Sequence, residues 1–196
     1  DVVDRPNERK VSHRSRMPLL GGLSVALGFL VGVSTALQLM PPTPGVSSSI
    51  ETLLVGGLFV LALGAVDDRW GLGAWPKLTV QIAAAAVAIH HGTEIDHATN
   101  PFSGEVVQFP PWLTYLVTTA WIVIVTNSIN LIDGLDGLCT GISAIIAITL
   151  TIVAFQAGHA PVVVAGLALS GALLGFLPFN FPPARIFVGD TGALFI

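Results

Sequence analysis

The chain has 196 residues, of which 53% are hydrophobic and only 10% are charged, and its formal net charge at pH 7 is -4. Soluble globular domains carry about 25% charged residues, so this composition argues against a soluble protein and for a membrane-embedded one. The 8 lysines and arginines are clustered, which argues against an extended basic surface for nucleic acid. The single cysteine, Cys139, cannot form a disulfide within the chain.

Six apolar segments predict membrane-crossing helices, at residues 19–40, 52–66, 78–91, 112–127, 138–155 and 162–177. The third gives the weakest signal because alanines dominate it, and several are shorter than the roughly 20 residues of an upright span. The predicted fold is therefore all-α, a polytopic transmembrane helix bundle in which residues 1–196 form one membrane-embedded domain. The chain starts without methionine and stops inside an apolar run, so we expect it to be truncated at both ends.

The distribution of basic residues predicts the orientation of this bundle. Lysine and arginine occur only at residues 5–16, at residues 69–77 and at Arg185. The turns that would lie at the opposite ends of the predicted helices contain neither residue. Because basic residues near span ends mark the cytoplasmic side, we expect a multi-pass plasma-membrane protein whose active-site loops face the cytoplasm.

Two adjacent carboxylates, Asp67 and Asp68, follow an apolar run at the predicted cytoplasmic end of a helix. Acids at a helix C-terminus oppose the helix dipole, and polar groups at a membrane margin cost free energy unless they are paired or used. A stop signal partly neutralised by Arg69 is the structural alternative. We expect a functional role for the pair.

Asn127, Asn130, Asp133 and Asp136 recur at every third position and form the densest polar motif of the chain. With about 3.6 residues per turn, such neighbours stay close while drifting around the helix, which predicts a curved row of oxygen ligands. A calcium loop also combines acids with glycine, but its terminal glutamate is missing here. A polar seam between helices is the structural alternative.

The segment 180–190 follows the sixth predicted crossing, and its paired prolines prevent the helix from continuing. Asp190 then precedes another apolar run, where it would serve as a helix N-cap or a metal ligand. Near the start of the chain, the basic residues lead into Gly21-Gly22. Attraction to anionic lipids is the simplest explanation of that stretch, and phosphate binding at a helix start is the functional one.

Carboxylates and amides from separate cytoplasmic turns, without a cysteine or histidine pattern, are typical ligands of a hard cation such as Mg²⁺, with Mn²⁺ as an alternative. Together with the basic tail and the membrane location, they indicate phosphoryl transfer between a lipid phosphate and a soluble diphosphate donor. A membrane transporter is the alternative from another class. Its acids should lie near the membrane midplane, whereas these cluster at one set of helix ends.

Four stretches in order resemble the polyprenyl-phosphate N-acetylhexosamine-1-phosphate transferases: residues 4–22, Asp67-Asp68, residues 127–137 and residues 180–192. The resemblance implies transfer of N-acetylhexosamine 1-phosphate from a UDP-sugar to undecaprenyl phosphate, with release of UMP. The product would start a lipid-linked cell-envelope glycan such as teichoic acid or lipopolysaccharide. The opening Arg5-Pro6-Asn7 is more similar to the type that uses UDP-N-acetylglucosamine than to the muramoyl-pentapeptide type, which remains the alternative.

The resemblance also implies catalytic and metal-binding roles. Asp67 would deprotonate the attacking lipid phosphate, Asp68 would help to place the metal or the phosphate, and Asp133 would support the catalytic centre. Asp190 would bind Mg²⁺, and Asn130 is a second candidate ligand.

The remaining matched residues are implied to bind substrate. Asp136, Asn180 and Phe187 correspond to the nucleotide-sugar site, where Phe187 would stack on uracil. Phosphate contacts are expected from Arg9, Lys10, His13 and Arg185. The expected partners are thus a UDP-N-acetylhexosamine, a polyprenyl phosphate and membrane lipids, with a homodimer left open. A phosphatidyltransferase that uses CDP-alcohols would need Ala-Arg after Asp133-Gly134, where this chain has Leu-Asp.

Overall fold

The computed structural model describes residues 3–4, 17–18, 21–40 and 45–196. Within these residues the chain forms seven helices and two small antiparallel sheets of two strands each. The helices are α1 (Gly21–Leu39), α2 (Val46–Trp70), α3 (Ala74–His90), α4 (Pro111–Ile132), α5 (Leu138–Gln156), α6 (Ala160–Asn180) and α7 (Gly189–Phe195). The sheets pair β1 (Val3–Asp4) with β2 (Met17–Pro18) and β3 (His97–Thr99) with β4 (Val106–Gln108).

Five of these helices, α1, α2, α4, α5 and α6, are long and apolar enough to cross a membrane. The third predicted crossing is also a helix, α3, but it has 17 residues. At about 1.5 Å per residue it spans roughly 26 Å, slightly less than a hydrocarbon core of about 30 Å. The predicted all-α polytopic bundle is confirmed, with α3 shorter than the five apolar crossings.

Three helices, α2, α4 and α6, extend at least three residues beyond their predicted C-terminal ends. In α2 and α4, polar residues continue the helical hydrogen bonding after the apolar run has finished. α2 includes Asp67 and Asp68 in its last turn instead of ending before them. Gly71 then adopts a left-handed conformation with φ 62° and ends the helix. α4 likewise continues past its predicted end, so that it carries both Asn127 and Asn130. Asp67, Asp68, Asn127 and Asn130 therefore lie on helix ends, whereas Asp133 and Asp136 lie in the turn between α4 and α5.

The helices alternate in direction, and one end of the bundle collects the polar motifs. There the end of α2 meets the start of α3 through Asp67 and Lys77. The hydroxyl of Thr140, at the start of α5, donates to Oδ1 of Asn180, at the end of α6, over 2.7 Å. α1 and α7 also begin against each other at this end. We call it the α7 end of the bundle; β3 and β4 lie at the opposite end, where they connect α3 to α4.

The apolar core behind the α7 end lies between α1, α5, α6 and α7. Val25, Leu173, Val188 and Ala193 are completely buried there. α4 contributes less to the core and exposes large apolar side chains such as Trp121. An exposed apolar surface of this kind is expected on a helix that faces lipid.

Candidate active site

The centre of the site is a lysine held between two carboxylates from different helices. Lys77 Nζ lies 2.7 Å from Oδ2 of Asp190 and also forms an ion pair with Oδ2 of Asp67. Asn130 Nδ2 donates to the other oxygen of Asp190 over 2.9 Å. The side chain of Asp67 is buried, whereas those of Lys77 and Asp190 are 22% and 30% exposed. α2, α3, α4 and α7 thus meet at one partly accessible charged cluster.

The position of Asp67 is fixed by the turn that follows it. The N–H of Leu72 donates to Oδ1 of Asp67 over 2.6 Å, and the N–H of Gly71 donates to the Asp67 carbonyl over 2.7 Å. Oδ2 is then directed at Lys77. The same carboxylate therefore caps the α2–α3 turn and binds the first turn of α3.

Asp68 has different partners from its neighbour. Its Oδ1 accepts a hydrogen bond from the N–H of Asp190 over 2.7 Å. Its Oδ2 accepts from the N–H and the hydroxyl of Thr191, over 3.0 Å and 2.5 Å. Asp68 therefore binds the backbone that carries Asp190, while Asp67 and the Asp190 carboxylate share Lys77.

Asp190 lies at the start of α7, outside the five apolar crossings. Burial alone raises the pKa of Asp190, but hydrogen bonding with Asp67, Lys77 and Asn130 outweighs burial and lowers this pKa from 3.8 to about 2. The carboxylate of Asp190 is accordingly ionised at neutral pH, as a cation ligand must be.

The residues expected to bind the nucleotide sugar lie beside this cluster, around the loop between α6 and α7. Asp136 Oδ2 accepts from the N–H of Ala184 over 3.0 Å. Asn180 is buried, and its Nδ2 donates to the Ile186 carbonyl over 3.0 Å. Both side chains are thus used to shape the loop. Phe187 is half-buried in that loop.

The other residues predicted for the site are less centrally placed. Asp133 directly follows α4, and its N–H donates to the Asn130 carbonyl over 3.2 Å. Arg185 is exposed in the α6–α7 loop, and its N–H donates to the Phe179 carbonyl over 2.9 Å. The predicted phosphate contacts Arg9, Lys10 and His13 lie outside the described residues.

Two site residues were missed by the sequence analysis, Lys77 and Gln81, which lie one turn apart on α3. Gln81 is buried, and its Oε1 accepts a hydrogen bond from Nδ2 of Asn127 over 2.7 Å. The sequence pattern that could have indicated these residues is a lysine and a glutamine four positions apart, at the start of an alanine-rich helix. A lysine near the end of a span also contributes to the positive-inside pattern, so Lys77 by itself does not indicate a site.

The cluster fits a Mg²⁺ ion only if substrate completes the coordination. Among the described residues, no group of three or more histidine, cysteine, aspartate or glutamate side chains is arranged to hold a metal. Asp67 and Asp190 nevertheless converge on one cation, the ammonium of Lys77. Mg²⁺ characteristically binds one or two carboxylates together with substrate phosphates and waters, so two carboxylates suffice. The oxygens of Asp68 already accept hydrogen bonds from residues 190 and 191.

Comparison with known proteins assigns the chain to a family. Residues 50–196 match the family model described as glycosyl transferase family 4. The chain belongs to glycosyl transferase family 4. The resemblance predicted from the four polar stretches is thereby confirmed, and the family and the five apolar helices identify a multi-pass membrane protein.

Named relatives divide into two groups. A probable undecaprenyl-phosphate N-acetylglucosaminyl 1-phosphate transferase of Bacillus subtilis is 37% identical over 197 residues, covering 100% of this chain and 52% of that protein. A decaprenyl-phosphate N-acetylglucosaminephosphotransferase of Mycobacterium leprae is 37% identical, with 100% and 52% covered. A phospho-N-acetylmuramoyl-pentapeptide-transferase of Latilactobacillus sakei is 35% identical, with 90% and 57% covered. The chain thus spans about half the length of these relatives.

Proposed function

We propose that the full-length protein transfers N-acetylglucosamine 1-phosphate from UDP-N-acetylglucosamine to undecaprenyl phosphate. The products would be UMP and a lipid-linked diphosphate sugar that starts a cell-envelope glycan. The observation that carries the proposal is the convergence of Asp67 and Asp190 on one cation at the α7 end of the bundle. The names of the Bacillus subtilis and Mycobacterium leprae relatives support the choice of sugar. The Bacillus subtilis name supports undecaprenyl phosphate as the lipid, whereas the Mycobacterium leprae name gives decaprenyl phosphate.

In this proposal Asp67 is the general base. It accepts the proton of the lipid phosphate, whose oxygen then attacks the phosphorus that bears the sugar. The new bond joins the two phosphates, and the bond between that phosphorus and the UMP oxygen breaks. Lys77 contacts both carboxylates, and in the proposed complex with substrate its ammonium would bind phosphate oxygens instead.

Asp190 is the proposed Mg²⁺ ligand, and Asn130 supports it through the hydrogen bond to its other oxygen. When bound, the ion neutralises the diphosphate and the leaving UMP oxygen. The α6–α7 loop binds uridine, with Phe187 stacking on the base. Asp136 and Asn180 contribute by holding that loop through Ala184 and Ile186.

The α7 end is proposed to face the cytoplasm, where UDP-sugars are made. The lysines and arginines of the described residues all lie at this end: Arg69 in the last turn of α2, Lys77 in the first turn of α3 and Arg185 in the α6–α7 loop. The opposite connection, which contains β3 and β4, carries Glu94 and Glu105 and no basic side chain other than histidine. This asymmetry follows the positive-inside pattern and supports a plasma-membrane enzyme with a cytoplasmic site.

Two other functions are distinguishable from this one. The Latilactobacillus sakei relative favours UDP-N-acetylmuramoyl-pentapeptide as an alternative donor. A transporter would need its acids near the middle of the membrane, whereas Asp67, Asp68 and Asp190 lie at the α7 end of the bundle.

The test is exchange of labelled UMP into each UDP-sugar by membranes that contain the full-length protein, with and without undecaprenyl phosphate and Mg²⁺. We expect exchange into UDP-N-acetylglucosamine that requires both additions. Exchange into the muramoyl-pentapeptide donor alone would replace the proposed donor. Absence of exchange with both donors, from folded protein, would remove the transferase function and favour transport.

A further inference from the structure

Both carboxylate oxygens of Asp68 accept hydrogen bonds from the segment that carries Asp190. Three donors bind its two oxygens: the N–H groups of residues 190 and 191 and the hydroxyl of Thr191, at 2.7, 3.0 and 2.5 Å. An ionised carboxylate has about four acceptor positions, so most of its capacity is already used. Hydrogen bonds to a charged acceptor are the strong ones, which makes this a firm attachment.

The same segment is seated tightly on α2 and on Asp68. A Cβ added to Gly64, one turn before Asp68, would lie 2.5 Å from the Asp190 carbonyl oxygen. Gly189 has φ 69°, and a Cβ there would lie 2.8 Å from Oδ2 of Asp68. Glycine at both positions lets the backbone of residues 189–191 approach the helix and its carboxylate closely.

We propose that Asp68 is a positioning residue, which acts through the backbone of Asp190 and Thr191 and sets where the Asp190 carboxylate stands. The proposal rests on the proposed function, since it assumes that Asp190 takes part in the reaction. Successive helix residues point about 100° apart. Adjacent acids on α2 therefore reach two partners: Asp67 binds Lys77, and Asp68 binds the chain that presents Asp190.

Substitution of Thr191 distinguishes a positioning role of Asp68 from direct contact of Asp68 with metal or substrate. The Thr191 side chain is buried and its hydroxyl donates to Asp68. If Asp68 acted only as a base or a metal ligand, loss of that hydroxyl would change the reactivity of Asp68 and leave hydrogen exchange at residues 190 and 191 unchanged. If Asp68 acts through residues 190 and 191, the hydroxyl is part of the attachment, and its loss must loosen the segment.

The experiment uses the full-length protein with Asp68→Asn, Thr191→Val and both substitutions together. Hydrogen–deuterium exchange of the peptide covering residues 189–192 is measured beside the Mg²⁺ concentration that gives half-maximal transfer. We expect each single variant to exchange at least about tenfold faster, because a charge-assisted hydrogen bond is lost, and to need more Mg²⁺. The double variant should exchange no faster than Asp68→Asn, since the hydroxyl then has lost its charged acceptor.

Two further variants complete the test. Thr191→Ser keeps the hydroxyl and should restore both readouts to near the wild-type values. Thr149→Val is the control, because that hydroxyl donates to the Ile145 carbonyl of its own helix over 2.8 Å; it should leave exchange at residues 189–192 unchanged.

The proposal is wrong if Thr191→Val and Asp68→Asn both exchange at the wild-type rate and only Asp68→Asn loses activity. Asp68 would then have a direct role in the reaction. If Asp68→Asn does not fold, Thr191→Val alone decides between these outcomes. The exchange measurement needs no turnover. Loss of the attachment is therefore detected even if the full-length protein proves not to transfer sugar phosphate, which separates failure of this inference from failure of the proposed function.

Discussion

The substitution Gly64→Ala should disable the site, although Gly64 has no side chain that could take part in the reaction. A Cβ on Gly64 would lie 2.5 Å from both the Asp190 carbonyl oxygen and the Cα of Thr191. Favourable carbon contacts lie at about 3.5–4.0 Å, so the start of α7 must move away by about 1 Å. Because Asp190 Oδ2 lies 2.7 Å from Lys77 Nζ, a displacement of this size breaks that contact.

Both stability and rate should fall. Forcing an extra methyl group into a packed interface costs about 1–3 kcal/mol. A misplacement of about 1 Å at a reacting centre lowers the rate by about 10²-fold. Gly56→Ala is the matched control, because a Cβ on that glycine of the same helix meets no atom within 4 Å. The control gains up to about 1 kcal/mol of helix propensity instead.

The assay compares the thermal midpoint in detergent and the transfer rate of the two variants of the full-length protein. Gly64→Ala should melt lower than wild type and transfer about 10²-fold more slowly, while Gly56→Ala should melt at or above wild type and keep its rate. Equal behaviour of the two variants would show that the contact between α2 and residues 190–191 is unimportant, and would refute the reasoning.

Three other outcomes are expected. Lys77→Met removes the cation between Asp67 and Asp190, and the transfer rate should drop about 10²-fold. Mg²⁺ should then raise the thermal midpoint of the variant more than that of the wild type. An equal effect of Mg²⁺ on both proteins would count against a cation position shared by Lys77 and Mg²⁺. Gln81→Leu should lower the free energy of unfolding by about 1–3 kcal/mol, because the Asn127 amide loses one hydrogen-bond partner. In a double-mutant cycle with Asn127→Leu, measured by thermal unfolding, the two effects should be non-additive. Additive effects would mean that the two side chains are not coupled. Chelation with EDTA should stop transfer and added Mg²⁺ should restore it, whereas full activity in EDTA would exclude a divalent ion from the site.

The helices were predictable because apolar length is a local property of the sequence. Within the described residues, each of the six predicted segments contains a helix, and the errors lie at the helix ends. Hydropathy places a helix end at the first polar residue, whereas Asp67 and Asp68 continue the hydrogen bonding of α2 as far as Gly71. The motif residues were also recognisable, since polar side chains at the ends of apolar helices need a reason to be there.

The partners of those residues were not predictable from local patterns. Lys77 and Asp190 are 113 positions apart, and Asp68 and Thr191 are 123 apart. Nothing in the spacing of either motif indicates that one aspartate of a pair binds a lysine and the other a backbone segment. That distinction arises only when α2, α3 and α7 pack together, with Gly64 permitting the closest approach.

The most direct test of the central claim follows the phosphorus atom. Full-length protein in detergent, given undecaprenyl phosphate, Mg²⁺ and UDP-N-acetylglucosamine labelled on the phosphate that bears the sugar, should move the label into the lipid phase and release unlabelled UMP. Asp67→Asn and Asp190→Asn should each abolish that transfer while the protein remains folded in the membrane. Label transfer at the wild-type rate by either variant, or no label in lipid with the wild-type protein, would contradict the account.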